Sequence, residues 1–146
     1  MIYLLLALVI WVLDRLSKVW VVRSLPLGAS RPLLGHWLRL THVRNTGAAF
    51  GLFHGHTLLL AIFSLGLFVG LFLWREHLRL LGPWGHFALA LLVGGALGNL
   101  FDRLVYGYVI DFIDVRVWPV FNVADSALVV GTLLLLVILW RQELGN

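Results

Sequence analysis

Apolar residues fall into four long stretches separated by polar connections. The stretches cover residues 2–22, 57–74, 83–101 and 120–140. Each holds roughly 18–21 residues, which in an α-helix rising about 1.5 Å per residue crosses the roughly 30 Å hydrocarbon core of a bilayer. The pattern predicts an all-α membrane protein with four transmembrane helices, forming a single integral-membrane domain over residues 1–146.

Polar residues interrupt the first stretch: Asp14, Arg15, Ser17 and Lys18. The stretch lacks the basic start and the small-residue cleavage site of a signal peptide, so we expect it to be a retained span. Later stretches contain the glycine pairs Gly66/Gly70 and Gly94/Gly98, and small residues one turn apart let membrane helices approach closely. We expect these glycines to pack within one chain rather than at a dimer seam, and we expect a monomer.

The connections between the stretches differ in length. Residues 23–56 form a long connection in which residues 37–43 alternate apolar and polar side chains, the pattern of a short β-strand. Residues 75–82 form a short basic hairpin, and residues 102–119 form a longer link with β-like content at 106–117. With four alternating spans, the first and third connections lie on one side of the membrane and both termini lie on the other.

Composition removes several other classes of protein. Hydrophobic residues make up 61% of the chain and charged residues 12%, which excludes a water-soluble globular protein and a disordered one. The absence of cysteine excludes thiol catalysis, disulfides and thiolate metal ligands. The net charge is +4, but the basic residues are scattered singly rather than clustered on one face. We therefore expect contact with membrane lipid and no nucleic-acid partner.

Polar side chains collect on the side of the first and third connections. They are Asp14, Lys18, Asn45, Asn99, Asp102, Arg103, Asp111, Asp114, Asn122 and Asp125. Ionisable residues at membrane depth cost free energy and are functional candidates. Asp14 and Lys18, four residues apart, can form an ion pair on one helix face. Asn99 and Arg103 share a face in the same way, and a structural role and a functional role are both open for these two pairs.

Two carboxylates in apolar surroundings suggest a chemistry. Asp111 lies between Val-Ile and Phe-Ile, and Asp125 lies in the first turn of the fourth stretch. Asn122 and Asp125 also fit a helix N-cap with an acidic third position, so capping is the alternative for Asp125. Two carboxylates sharing one proton perform aspartic proteolysis, in which one activates water and the other hydrogen-bonds the scissile carbonyl. The chain has no zinc-helix motif, and we expect no metal and no cofactor.

Five motifs in order cover nearly the whole chain. They are Asp-x-x-x-Lys at 14–18, Val-Arg-Asn-Thr-Gly-Ala-Ala-Phe at 43–50, Gly-Gly-Ala-Leu-Gly-Asn-Leu-Phe-Asp-Arg at 94–103, Gly-Tyr-Val-Ile-Asp-Phe at 107–112 and Phe-Asn-Val-Ala-Asp at 121–125. Together they resemble the lipoprotein signal peptidase family, signal peptidase II.

The resemblance implies a four-helix aspartyl endopeptidase of the bacterial inner membrane. Its substrate would be a prolipoprotein whose cysteine carries diacylglycerol, cut just before that cysteine. Asp111 and Asp125 would be the catalytic pair, and the supporting residues would be Asn45, Asn99, Arg103, Asn122, Asp14 and Lys18. The long first connection would form a small extracytoplasmic β-like cradle beside the site.

Charge and topology leave two alternatives to weigh. The side with the polar residues carries six loop arginines (23, 31, 39, 44, 103 and 116) against three on the other (75, 79 and 141). Taken alone, the positive-inside rule places the polar side in the cytoplasm, whereas the resemblance places it at the outer face. The alternative function is a small four-span proton- or cation-coupled transporter, which would place its carboxylate near mid-membrane.

Overall fold

The computed structural model describes residues 1–48 and 52–144. Within these residues the chain forms α1 (Ile2–Ser24), β1 (Ser30–Leu34), β2 (Leu38–Asn45), α2 (Thr57–Leu73), α3 (Arg75–Leu78), α4 (Pro83–Tyr106), β3 (Val109–Asp114) and α5 (Val123–Leu144). Ala49 and Phe50, which end the second motif, lie outside the described residues.

Each predicted apolar stretch corresponds to one long helix, but the helix bounds differ from the prediction, most of all at the end of α4 and at both ends of α5. Helix α4 continues to Tyr106, past the predicted end at residue 101, because its stop signal is Gly107 and not the first polar residue. Gly107 has a φ of +76°, which suits glycine, and its N–H donates to the Arg103 carbonyl at 3.2 Å. Helix α5 begins only at Val123, after Pro119 and the capping residue Asn122.

The three strands form one antiparallel sheet in the order β1-β2-β3. Strand β2 confirms the alternation at 37–43, and β3 lies within the β-like segment at 106–117. The first connection supplies two strands of the sheet, β1 and β2, and the third connection supplies β3, which pairs with β2 and places Val43 opposite Asp111. Strand β1 had no pattern of its own, since all five of its residues are exposed.

Helix α4 packs against α1, α2 and α5, and its glycines make these contacts close. A Cβ on Gly94 would lie 2.7 Å from the Ala7 carbonyl oxygen of α1, and one on Gly95 would lie 2.5 Å from the Ala124 carbonyl oxygen of α5. A Cβ on Gly98 would lie 2.6 Å from the Asp14 carboxylate. The predicted intramolecular packing is therefore confirmed for the α4 glycines.

The same prediction was wrong for the glycine pair of α2. No atom of the described residues lies within 4 Å of a Cβ built on Gly66 or Gly70. Helix α2 packs mainly against α4, and these two glycines face open space. Spacing alone therefore does not distinguish a packed glycine pair from an unpacked one.

Two helices of the described chain are long and apolar enough to cross a membrane, the 24-residue α4 and the segment 123–143 of α5. Helix α2 is apolar but has 17 residues. Helix α1 has 23 residues but carries Asp14, Arg15 and Lys18 in its second half. Where α1 ends, Val21 packs with Leu40 of β2 and Phe112 of β3, and this small core joins the helices to the sheet.

Candidate active site

Asp111 lies on β3, where the sheet meets the helices, and its side chain is held by two amides. Asn45 on the neighbouring strand donates from Nδ2 to Asp111 Oδ2 at 2.8 Å. Asn122, just before α5, donates from Nδ2 to Asp111 Oδ1 at 2.7 Å. Asp111 is only 2% exposed, so these neutral donors replace most of the water that a surface carboxylate would bind.

Asp125 lies in the first turn of α5 and takes part in a reciprocal cap. The Asp125 N–H donates to Asn122 Oδ1 at 2.8 Å, and the Asn122 N–H donates to Asp125 Oδ2 at 3.2 Å. The capping alternative is therefore present in the structure. The cap uses one carboxylate oxygen, while the other accepts a bond from Asn99 Nδ2 at 2.7 Å. Capping fixes the orientation of the Asp125 carboxylate.

Asn122 connects the two carboxylates. Its side chain is fully buried, donates to Asp111 and accepts from the backbone of Asp125. It also donates to Asn99 Oδ1 at 3.2 Å, so the amides form a continuous network around both acids. A single side chain thus sets the relative positions of Asp111 and Asp125.

Asp111 and Asp125 line the same cavity, which has a volume of about 300 Å³. Its wall also includes Asn45, Gly47 and Arg103. Among the described residues, Arg103 is the cation that lines this cavity. Its buried Nε has no hydrogen-bond partner among those residues. The cavity is large enough for water and a short peptide segment between an acidic pair and a cation.

Burial, followed by the nearby negative charge of Asp125, raises the pKa of Asp111 to about 7. The hydrogen bonds from Asn45 and Asn122 and the charge of Lys18 act in the opposite direction, but they are smaller. With a pKa of about 7, Asp111 is still partly protonated near neutral pH, where an ordinary aspartate is ionised. A protonated carboxyl beside a second carboxylate is the arrangement that general acid–base chemistry on a carbonyl requires.

A second group of charged side chains, the ion cluster (Asp14, Arg15, Lys18 and Asp102), lies between α1 and α4. Lys18 Nζ lies 2.8 Å from Asp14 Oδ2 and 2.8 Å from Asp102 Oδ2. Arg15 Nη1 lies 2.6 Å from Asp102 Oδ1. Asp14, Lys18 and Asp102 are fully buried, and two cations here balance two carboxylates.

The ion cluster contacts the residues around the two acids directly. Lys18 Nζ donates to Asn99 Oδ1 at 3.0 Å, and Asn99 in turn donates to Asp125. Asp14 Oδ1 accepts the Ala124 N–H at 3.0 Å, at the start of α5. Asp102 Oδ2 accepts the Ile110 N–H at 3.3 Å, one residue before Asp111. The cluster therefore holds both acid-bearing elements against α1 and α4.

Comparison with known proteins identifies the family. A family model described as signal peptidase (SPase) II matches residues 6–141 of the chain. The chain belongs to the signal peptidase II family. It is therefore a protease, and the transporter alternative is wrong.

Individual proteins also match this chain over most of their length. A lipoprotein signal peptidase of Moorella thermoacetica is 46% identical over 91% of this chain and 89% of its own length. One from Syntrophomonas wolfei is 47% identical over 90% and 87%. A bacterial membrane enzyme determined by the in meso method at 2.3 Å resolution superposes with a TM-score of 0.90 at 30% identity, covering 97% of this chain and 88% of that one.

The structure brings together the site residues that the sequence singled out for signal peptidase II chemistry. Asn45, Asn99, Arg103 and Asn122 surround the two acids, and Asp14 and Lys18 lie behind them. The ion pair predicted for Asp14 and Lys18 is confirmed.

Sequence reasoning gave no role to Arg15 and placed Asp102 only among the polar residues of one membrane side, although both belong to the ion cluster. The available signal was Arg15 itself, since a cation within an apolar stretch requires an anion at the same depth. Spacing within α1 could not identify that partner, because Asp102 comes from α4.

Proposed function

We propose that this protein is an aspartic endopeptidase that removes the signal peptide from diacylglyceryl-modified bacterial prolipoproteins, cutting just before the lipidated cysteine. The single observation that carries the proposal is that Asp111 and Asp125 line one cavity and are both bonded by Asn122. The side-chain donors that hold the two carboxylates are neutral amides. No cation is hydrogen-bonded to either acid among the described residues, so one proton remains shared between them.

The shared proton accounts for both halves of the reaction. The ionised carboxylate of the pair accepts a proton from water as that water attacks the scissile carbonyl carbon. The protonated carboxyl donates its proton to the carbonyl oxygen, giving a neutral tetrahedral diol. The first carboxyl then passes its proton to the leaving cysteine nitrogen while the diol returns a proton to the second. The peptide bond breaks and the pair is restored.

The position of the acids fits a lipid-anchored bond. Asp111 lies beyond the end of α4, and Asp125 lies in the first turn of α5. Both therefore lie at the end of the helix bundle, where a cysteine bearing diacylglycerol is held by its acyl chains at the bilayer surface. The signal peptide on its amino-terminal side then remains among the helices.

We expect cleavage to depend on the lipid. Purified protein in detergent is incubated with a diacylglyceryl-modified prolipoprotein and with the same prolipoprotein lacking the lipid, and the products are identified by mass spectrometry. The lipidated substrate should be cut before the modified cysteine, and the unlipidated one cut poorly or not at all. Equal rates on the two substrates would contradict the proposal.

The proposed topology has four spans in the bacterial inner membrane, with α1, α2, α4 and α5 each crossing once in a monomer. Helix α1 qualifies despite its charges because Asp14 and Lys18 are buried within the bundle. Its outward side is apolar, with Leu4 at 75% and Leu16 at 61% exposed. Buried, paired charges remove most of the free-energy penalty that an isolated charge brings to a membrane helix.

The proposed orientation places the acids at the outer face. Three of the six loop arginines on that side have contacts within the protein. Arg39 donates to Ser30, Arg44 lies over the Tyr108 ring, and Arg103 lines the acidic cavity. An arginine held by partners within the protein is less available to lipid headgroups, so these contacts weaken the count against the proposed orientation.

The orientation can be tested directly because the chain has no cysteine. Ser30→Cys and Leu78→Cys place single thiols on the first connection and on α3. In intact cells a membrane-impermeant maleimide should label position 30 and leave position 78 unlabelled. Labelling of position 78 alone would reverse the orientation.

A further inference from the structure

The β1–β2 hairpin carries large apolar side chains that are more than half exposed. Leu33 is 52% exposed, Leu34 is 68% exposed and Trp37 is 77% exposed. Apolar exposure is expected on helix faces that meet lipid, but Leu33 and Leu34 belong to β1 and Trp37 lies in the turn before β2, outside the helices. They do not contribute to the core that Val21, Leu40 and Phe112 form.

The connection that carries this hairpin has a one-sided charge. Residues 23–56 contain four arginines and neither aspartate nor glutamate. Arg39 and Arg44 have partners within the sheet and on Tyr108. Arg23 and Arg31 are exposed and form no hydrogen bond or ion pair with any described residue. The exposed apolar residues are therefore accompanied by unpaired positive charge.

The hairpin is fastened to the end of α1. The Gly28 N–H donates to the His42 carbonyl at 2.9 Å, and the His42 ring nitrogen Nδ1 lies 2.9 Å from the Leu25 carbonyl oxygen. Since α1 ends at Ser24, these bonds hold the base of the hairpin at the end of the bundle. That level corresponds to the polar boundary of a bilayer crossed by the helices.

We propose that the hairpin tip (residues 31–37) is a lipid-binding surface that docks on the headgroup region of the bilayer. Leu33, Leu34 and Trp37 insert among the headgroups, where tryptophan is favoured because its ring is apolar and its N–H is polar. Arg31, with Arg23 beside the bundle, binds the phosphates of anionic phospholipids, which match a guanidinium in charge and geometry.

The docked hairpin has a consequence for the site. Strand β2 is shared between the hairpin and β3, and β3 carries Asp111. Anchoring the tip therefore fixes the depth of the sheet relative to the bilayer surface, where a lipid-anchored bond is presented. The proposal of a lipid-binding hairpin tip requires only that the chain is a membrane protein. It does not depend on which side of the membrane the tip faces, so a reversed orientation would not contradict it.

Spin labels on single cysteines can measure the depth of the tip. Leu34→Cys and Trp37→Cys are labelled and reconstituted in vesicles of phosphatidylcholine and phosphatidylglycerol in equal amounts. Leu133→Cys on the exposed face of α5 gives the bilayer reference, and Glu143→Cys gives the aqueous reference. Relaxation by oxygen, which enters lipid, is compared with relaxation by a water-soluble nickel chelate.

Both tip labels should be more accessible to oxygen and less accessible to the nickel chelate than the label at position 143. Arg31→Gln should move the label at position 34 toward water in these vesicles and leave it unchanged in pure phosphatidylcholine. Arg44→Gln is the matched control and should have no effect, because Arg44 already lies over Tyr108.

Two results would overturn the proposal. One is nickel accessibility at positions 34 and 37 equal to that at position 143, which would place the tip in water. The other is a tip that is wet in empty vesicles and becomes shielded only when lipidated prolipoprotein is added, which would make it a substrate-binding surface.

Discussion

The protein contains two groups of carboxylates, buried or half-buried, that differ in what balances their charge. In the ion cluster, Asp14 and Asp102 are paired with Lys18 and Arg15 at distances of 2.6–2.8 Å. In the catalytic pair proposed here, Asp111 and Asp125 receive their side-chain hydrogen bonds from amides, which carry no charge.

This difference separates a structural role from a chemical one. The negative charge of a carboxylate paired with a cation is balanced inside the cluster, so such a pair serves to hold elements together. A buried carboxylate next to another acid and to neutral donors keeps a proton that it can transfer. The two groups share Asn99, which contacts Lys18 on one side and Asp125 on the other. The ion cluster therefore positions the acids without neutralising the pair.

Loss of either acid should have the largest effect on activity. Asp111→Asn and Asp125→Asn preserve size but abolish the shared proton, so each should lower turnover by several orders of magnitude. The double variant should be only slightly worse than either single one, because the two acids act as a unit. Turnover of lipidated prolipoprotein measures the effect, and an active single variant would remove the mechanism.

The matched control for these variants is stability. The melting temperature in detergent should change little, because a pair of like charges contributes little to folding. For Asp125→Asn the free energy of unfolding should fall by at most about 1 kcal/mol, because the substitution weakens the cap with Asn122. If Asp125→Asn lowers the melting temperature strongly but keeps its turnover once the fold is stabilised, Asp125 serves only as a helix cap.

Loss of Lys18, the central cation of the ion cluster, should lower stability strongly, whereas loss of either acid should lower turnover. Lys18→Met leaves Asp14 and Asp102 buried with one fewer cation, and breaking a buried ion pair in this way costs about 3–5 kcal/mol. The melting temperature should fall strongly, and activity should fall with the folded fraction.

A compensating variant tests the origin of that loss. Combining Lys18→Met with Asp14→Asn removes one carboxylate together with one cation and should restore part of the stability. A single Lys18→Met variant that melts at the wild-type temperature would show that the cluster does not hold the fold.

The raised pKa of Asp111 predicts a specific pH dependence. Activity should fall as pH rises through about 7, because Asp111 then loses the shared proton. The stability contribution of this group has the same direction. Folded Asp111 keeps its proton to about pH 7, whereas an unfolded aspartate loses it near 3.8, so the stability is fully present below about pH 4 and is lost towards pH 7.

The Asp111→Asn variant is the control for the pH dependence of stability. Its melting temperature in detergent should vary less between pH 4 and 7 than that of the wild type, because residue 111 no longer titrates. An activity profile that rises through pH 7 would contradict the assignment of the proton to Asp111.

The sequence predicted the four long helices and most of the site because these depend on local information. Apolar length defined the helices, and the motifs contained Asn45, Asn99, Asn122 and both acids. Pairings between distant segments were less accessible. The Arg15–Asp102 ion pair joins α1 to α4, and the pairing of β3 with β2 joins the third connection to the first. Neither pairing has a local signature in the sequence. The end of α4 at Tyr106 differs from the predicted end because Gly107, and not the first polar residue after the apolar stretch, stops the helix.

The smallest expected effects concern the glycines of α4 and α2. Gly98→Ala places a Cβ 2.6 Å from the Asp14 carboxylate and 3.1 Å from the Ala124 side chain, so α1 and α5 must move away from α4. Overpacking of this kind costs about 1–3 kcal/mol, and it should lower the melting temperature in detergent together with activity. Gly66→Ala is the matched control, because nothing described lies within 4 Å of its Cβ. An alanine there removes only backbone freedom and should stabilise the helix by about 0.5–1 kcal/mol. Equal melting temperatures for the two variants would show that the close contact between α4 and the ion cluster is not needed for stability.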